Sequence, residues 1–131
     1  MTRVLDASAL LAYLEREGGH GKISSALTDA IEKESPLLIS AVNWGEVCYI
    51  VERNFGAKKI DEIKHLLGSF PIDIAPVDGP LAEQAARLKC RYKLGYADAL
   101  AGALALELKA VLYTSDREFQ AISRVVKIEW V

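Results

Sequence analysis

Short runs of apolar residues that do not alternate with polar ones recur along the chain, each separated from the next by a stretch of helical periodicity, and this constrains the fold more than any other feature. A strand wetted on one face alternates, whereas a strand apolar throughout is covered on both faces, as in a parallel sheet whose crossover helices pack above and below. The runs are Arg3 to Leu5, Leu37 to Ile39, Ile72 and Ile74 around Asp73, Ala110 to Tyr113, and Val125 to Ile128. Between them, Ser8 reads as the N-cap of a helix through Arg16, with Leu10, Leu11 and Leu14 on one side. Apolar residues at 23, 26, 27, 30 and 31 give the stripe of an amphipathic helix from Gly21 to about Glu34. Further helices are expected from Trp44 to about Arg53, from Gly56 to Leu67, from Pro80 to near Tyr92 and, briefly, from Arg117 to Ile122. Ala97 to Leu108 is small or apolar all round and charged only at Asp98 and Glu107, which describes a helix inside the molecule. The expected architecture is α/β, with a mostly parallel central sheet of about four to five strands flanked by helices.

All four prolines fall between these segments and no linker or repeat interrupts them, so residues 1–131 read as one domain. With 51% hydrophobic and 26% charged residues, the chain can fill a core, which excludes general disorder. The uncharged run of its most apolar element, Ala99 to Leu106, is far shorter than the roughly 20 residues that span a bilayer, so no membrane association is expected. Asp6 interrupts the only stretch resembling a signal-peptide core. Cys48 and Cys90 read as small core residues in a reducing compartment, and the expected location is the cytoplasm. Sixteen Lys and Arg against eighteen Asp and Glu give a net charge of −2, which argues against a strongly basic nucleic-acid coat. The sum hides a distribution, because acids sequestered around a cation would leave the remaining surface basic.

Ligands of a parallel α/β sheet bind beyond the carboxyl ends of its strands, so the polar residues standing there are the candidates for chemistry. They are acids. Asp6 follows the first strand, Asp116 the fourth, Glu46 lies in the turn after the second, and Asp98 opens the apolar helix that feeds the fourth. Each has an ordinary explanation: Glu46 stands at capping-box spacing from Asn43, and Asp98 and Asp116 lie near helix starts, where the macrodipole favours an anion. Their coincidence at one edge is the signal. Carboxylates that converge without Lys or Arg repel one another unless a divalent cation supplies the missing charge. An all-oxygen set suits Mg²⁺ or Mn²⁺, and neither His20 nor His65 stands at ligand spacing from the acids for zinc.

Taken together, Val4-Leu5-Asp6-Ala7-Ser8, Ile39-Ser40-Ala41 leading to Glu46, Ala97-Asp98-Ala99-Leu100, and Tyr113-Thr114-Ser115-Asp116 with Phe119 resemble the PIN domain, and more narrowly its VapC ribonuclease toxins. The resemblance runs in order along the whole chain; Asn43-Trp44-Gly45 departs from the usual lead-in to the glutamate, which touches local packing more than chemistry. It implies a three-layer PIN-like fold and Mg²⁺- or Mn²⁺-dependent endonucleolytic cleavage of RNA. Asp6 and Asp98 would be the principal metal ligands, Asp116 a ligand of the same or a second ion, and Glu46 a ligand or a water-orienting group. Ser8 and Thr114 would hold carboxylates or water by hydrogen bonds. The implied partners are an RNA substrate, a second copy in a homodimer, and a small VapB-type antitoxin that wraps the toxin and places a basic side chain in the acidic cleft.

Arg87, Lys89, Arg91 and Lys93 crowd one helix end, where they fit either a phosphate track or a solvated terminus favoured by the macrodipole. Ile60, Ile63 and Leu67 fit either a partner surface or core. Two alternatives compete with the nuclease: a PIN-like RNA-binding or interaction domain without activity, and a haloacid-dehalogenase-like phosphatase. The phosphatase needs a second aspartate where Ser8 stands.

Overall fold

The computed structural model describes residues Met1–Val131. The elements run β1 (Arg3–Leu5), α1 (Ala7–Leu14), α2 (His20–Glu32), β2 (Leu37–Ser40), α3 (Ala41–Phe55), α4 (Ala57–Leu67), β3 (Ile72–Ala75), α5 (Gly79–Tyr92), α6 (Tyr96–Leu108), β4 (Val111–Thr114), a 3₁₀ helix (Arg117–Ile122) and β5 (Lys127–Trp130). The five strands form one sheet of order β3-β2-β1-β4-β5, and every pairing is parallel. The chain therefore builds outward from β1 to β3, returns to the other side of β1, and continues outward through β4 to β5. The direction of growth reverses between β1 and β4, and at such a reversal the connections leaving neighbouring strand ends part to opposite faces, opening a crevice.

Register explains the two cores. Val4 lies opposite Leu38 and Leu112, and Leu112 opposite Ile128, so these side chains share one face. They pack with Leu81, Ala85 and Leu88 of α5 and the buried small residues of α6. Leu5, opposite Ile39 and Tyr113, points the other way, against Leu10 of α1, Ile23 and Leu27 of α2, Val47 and Val51 of α3 and Ile63 of α4. Three layers result, as expected. Ala99 through Ala105 are buried without a break, which is why α6 needs no polar side. Gly102 lets α6 approach its neighbours closely: a Cβ there would stand 2.9 Å from Ile122 Cδ1. Gly56, at φ +89°, makes the turn between α3 and α4. No helix is long and apolar enough to cross a membrane.

Several local expectations are corrected. The N-cap of α1 is Asp6, whose carboxylate accepts from the Ala9 N–H at 2.9 Å; Ser8 lies inside the first turn. The next helix after β2 starts at Ala41, three residues early, because Ser40 caps it by accepting from the Asn43 N–H at 3.0 Å. Asn43 is thus not a cap, and the capping-box explanation of Glu46 falls. The last strand begins at Lys127 because the Val125 and Val126 N–H groups bond back to the Ile122 carbonyl and close the 3₁₀ helix. Uniform burial holds for β1, but the edge strand β3 exposes Asp73 and Ile74 and the edge strand β5 exposes Lys127. Cys90 is exposed, since it faces away from the Leu81, Ala85 and Leu88 stripe, and Cys48 is only half-buried. Ile63 is core, with Ile60 and Leu67 partly buried against it.

Candidate metal centre

Asp6 is carried to the reversal point by β1 and is nearly fully buried. Its Oδ1 accepts from the Ser8 hydroxyl at 2.7 Å and from the Ala9 N–H; its Oδ2 accepts from the Thr114 hydroxyl at 2.6 Å. The two hydroxyls lie 3.2 Å apart, and each also accepts from the chain beyond β4, Ser8 from the Ser115 N–H at 3.0 Å and Thr114 from the Asp116 N–H at 2.9 Å. This network ties the end of β1 to the end of β4. It also fixes Asp116, which turns its own carboxylate onto the Glu118 N–H at 2.9 Å as the cap of the 3₁₀ helix.

Glu46 comes from the second turn of α3 and accepts from the Asn43 amide at 3.2 Å. Asp98 lies in the first turn of α6, whose N-cap, Gly95, offers no side chain. If Asp98 merely served the helix dipole, its carboxyl would be held ionised. It is instead pushed up to about 7, first by burial and then by the charges of Asp116, Asp6, Glu46 and Glu118. Asp6 is raised to about 6, mainly by burial, against the lowering effect of its hydrogen bonds from Thr114, Ala9 and Ser8. The four acids picked from the sequence thus act on one another, and none takes part in the ion pairs of the structure, Arg3–Asp29, Lys33–Asp29, Lys22–Glu129 and Lys59–Glu62.

A fifth acid joins them. Carboxylate oxygens of Asp98, Asp116 and Glu118 lie within 4.8 Å of one another, the spacing of a group that can hold one divalent cation. Sequence reasoning missed Glu118 because an exposed acid in a first helical turn reads as an ordinary dipole partner. The pattern Asp116-Arg117-Glu118 directly after an apolar strand was the available signal. The donor set is oxygen throughout and carries an uncompensated negative charge, so its chemistry fits Mg²⁺ or another hard divalent ion.

Arg87, Lys89, Arg91 and Lys93 are all exposed. Lys89 donates to the Leu94 carbonyl at 3.1 Å and so helps close the end of α5. Arg87 and Arg91 flank a groove of about 310 Å³ with Tyr92, Leu106 and Val125.

An all-parallel, five-stranded sheet covered by helices on both faces, with acids grouped at its reversal point, defines a class of α/β proteins. Within it, the chain belongs to the PIN domain family, whose sequence pattern it matches over residues 3–125. Among curated proteins, none matches it in sequence. In fold it is similar to the DNA-bound VapBC of Salmonella typhimurium (15% identity, TM-score 0.79, covering 98% of this chain and 97% of that one). It is also similar to VapBC2 of Rickettsia felis bound to a promoter DNA fragment (15%, 0.76, 100% and 99%). A third similar structure is VapC20 of Mycobacterium tuberculosis, a toxin that cleaves the sarcin-ricin loop (20%, 0.69, 92% and 94%).

Proposed function

We propose that the chain is a VapC-type toxin, an Mg²⁺- or Mn²⁺-dependent endoribonuclease that hydrolyses RNA phosphodiester bonds at this acidic site. The observation that carries the reading is geometric: Asp98, Asp116 and Glu118 bring carboxylate oxygens within 4.8 Å of one another at the sheet's reversal point, and no ion pair of the chain includes them or Asp6 and Glu46. Asp6, Asp98 and Asp116 are assigned as metal ligands together with Glu118, and Glu46 as a ligand or a group that orients water. When bound, the ion supplies a Lewis acid that lowers the pKa of an attacking water and offsets charge developing on the scissile phosphate. The chain's own part is preorganisation: Ser8 and the Ala9 N–H hold Oδ1 of the Asp6 carboxylate, while Thr114 holds Oδ2 and leaves a lone pair there for a further contact. The phosphatase alternative lacks its second aspartate, because Ser8 serves instead as a donor to Asp6.

The test is a labelled RNA incubated with Mg²⁺, with Mn²⁺, and with excess chelator, using wild-type protein and Asp6→Asn. Asn keeps the helix cap, and its amide can donate to the Thr114 hydroxyl, so the fold should survive. Cleavage is expected only for the wild type with metal. Cleavage in chelator, or by Asp6→Asn at the wild-type rate, would sink the mechanism, and metal-independent RNA binding without cleavage would favour the inactive alternative.

The exposed basic run of α5 is assigned as a track for RNA phosphates. Arg91→Glu combined with Lys93→Glu should weaken RNA binding and flatten its dependence on salt by about 0.7 in log–log slope for each phosphate that the variant no longer neutralises. An unchanged salt series would return the run to a solvated helix end. The relatives named VapBC support a VapB-type antitoxin as partner here; a homodimer of the toxin is part of the same proposal.

A further inference from the structure

Asn43 is wholly buried, one of few polar side chains in the interior. Its amide is fully engaged: Nδ2 donates to Glu46 Oε1 at 3.2 Å and to the Ala97 carbonyl at 3.1 Å, and Oδ1 accepts from the Ser40 hydroxyl at 2.6 Å. Ser40 is the last residue of β2, Glu46 is the acid of α3, and Ala97 precedes Asp98, the acid of α6. One side chain therefore joins a strand end to both helices that bring acids in from outside the β1–β4 crevice. Asp6 and Asp116 are tied together by Ser8 and Thr114, but nothing else hydrogen-bonds the Glu46 carboxylate, which swings on three rotatable bonds.

We infer that Asn43 is a positioning residue that sets Glu46 relative to Asp98 and thereby tunes the affinity of the acidic site for its cation. The inference rests on the reading of that site as a metal centre. The residue type is demanding. Two acceptors must be served from one buried point while a hydroxyl donor is accepted, and among short side chains only the asparagine amide offers two N–H donors and an oxygen together. A serine or threonine hydroxyl has one proton to give, and an ionised aspartate has none. A purely structural role, in which Asn43 only pins α3 to α6, would affect stability alone.

The experiment compares wild type, Asn43→Ala, Asn43→Thr and Val51→Ala, the last a buried truncation in the same helix away from the acids. Free Mn²⁺ is followed by electron paramagnetic resonance during titration, melting temperatures are recorded alongside, and RNA cleavage is measured across Mn²⁺ concentrations. The Asn43 variants should bind Mn²⁺ about 10–100-fold more weakly, in line with the loss of a group that orients a ligand. Their half-saturating Mn²⁺ for cleavage should rise by a similar factor, more than the rate at saturation falls. Val51→Ala should lose thermal stability yet keep Mn²⁺ affinity within about twofold. Asn43→Thr retains one donor and a similar volume, so it stands in if the alanine variant does not fold. Wild-type affinity in a folded Asn43 variant overturns the inference while leaving the metal centre in place. A wild type that binds no Mn²⁺ overturns the metal reading and the inference with it.

Discussion

Without metal, the Asp98→Asn protein is expected to melt no lower than wild type, and higher at neutral pH. The substitution removes one charge at nearly constant shape from a place where burial and four neighbouring acids disfavour that charge. The same protein should lose its nuclease activity and most of its thermal response to Mg²⁺. For a site affinity of about 0.5 mM, 5 mM Mg²⁺ would stabilise the wild type by roughly 1.4 kcal/mol, a shift of about 5 °C. If Asp98 only supported the start of α6, its loss would lower the melting temperature and leave the Mg²⁺ response intact. Melts of both proteins with and without Mg²⁺ separate the two cases, and a destabilised mutant that responds fully to metal would remove Asp98 from the site.

Stability of the metal-free protein should also fall as pH rises through the range where these acids ionise. Asp6 and Asp98 have ordinary values of 3.8, raised in the fold to about 6 and about 7. Between those limits the folded chain binds more protons than the unfolded one, so the slope of unfolding free energy against pH is negative. The favourable contribution is complete below about pH 4 and lost above about pH 7. For the deeply buried Asp6 alone the shift corresponds to about 3 kcal/mol. Other groups titrate over the same range, so the clean measurement is a difference: the gap in melting temperature between Asp98→Asn and metal-free wild type should widen from pH 5 to pH 7.5. Protons compete with the cation for the same oxygens, so Mg²⁺ should stabilise the wild type little at pH 5 and fully near pH 8. A gap that stays constant, or a Mg²⁺ shift independent of pH, would contradict the assignment.

Much of this arrangement is legible in the sequence because the sheet is parallel. Uninterrupted apolar runs put Asp6 and Asp116 at strand ends, and the order of acids along the chain matches that of PIN domains. Legibility fails where two local explanations compete for one residue. Ser8 and Asp6 are both good N-caps, and only the burial of Asp6 against the Thr114 hydroxyl decides between them. Asn43 and Glu46 have the spacing of a capping box, but Ser40 takes the cap and leaves the asparagine free to turn inward. Glu118 escapes because its role depends on the 3₁₀ helix setting its carboxylate beside Asp98 of α6, which no periodicity in six residues encodes.

The hydrogen bond between Thr114 and Asp6 spans 108 positions of sequence, and the Thr114 hydroxyl that makes it also accepts from the Asp116 N–H. A chain made from its amino terminus presents Asp6 first and Asp116 and Glu118 last, so during translation the cleft has no second wall until β4 has been synthesised and has slotted in beside β1. Contacts this distant form late in folding as well. An unfinished or half-folded copy therefore carries loose carboxylates rather than a working cleft. For the ribonuclease toxin proposed here, the topology itself would delay harm until the molecule is whole, and would give the proposed antitoxin that interval in which to arrive.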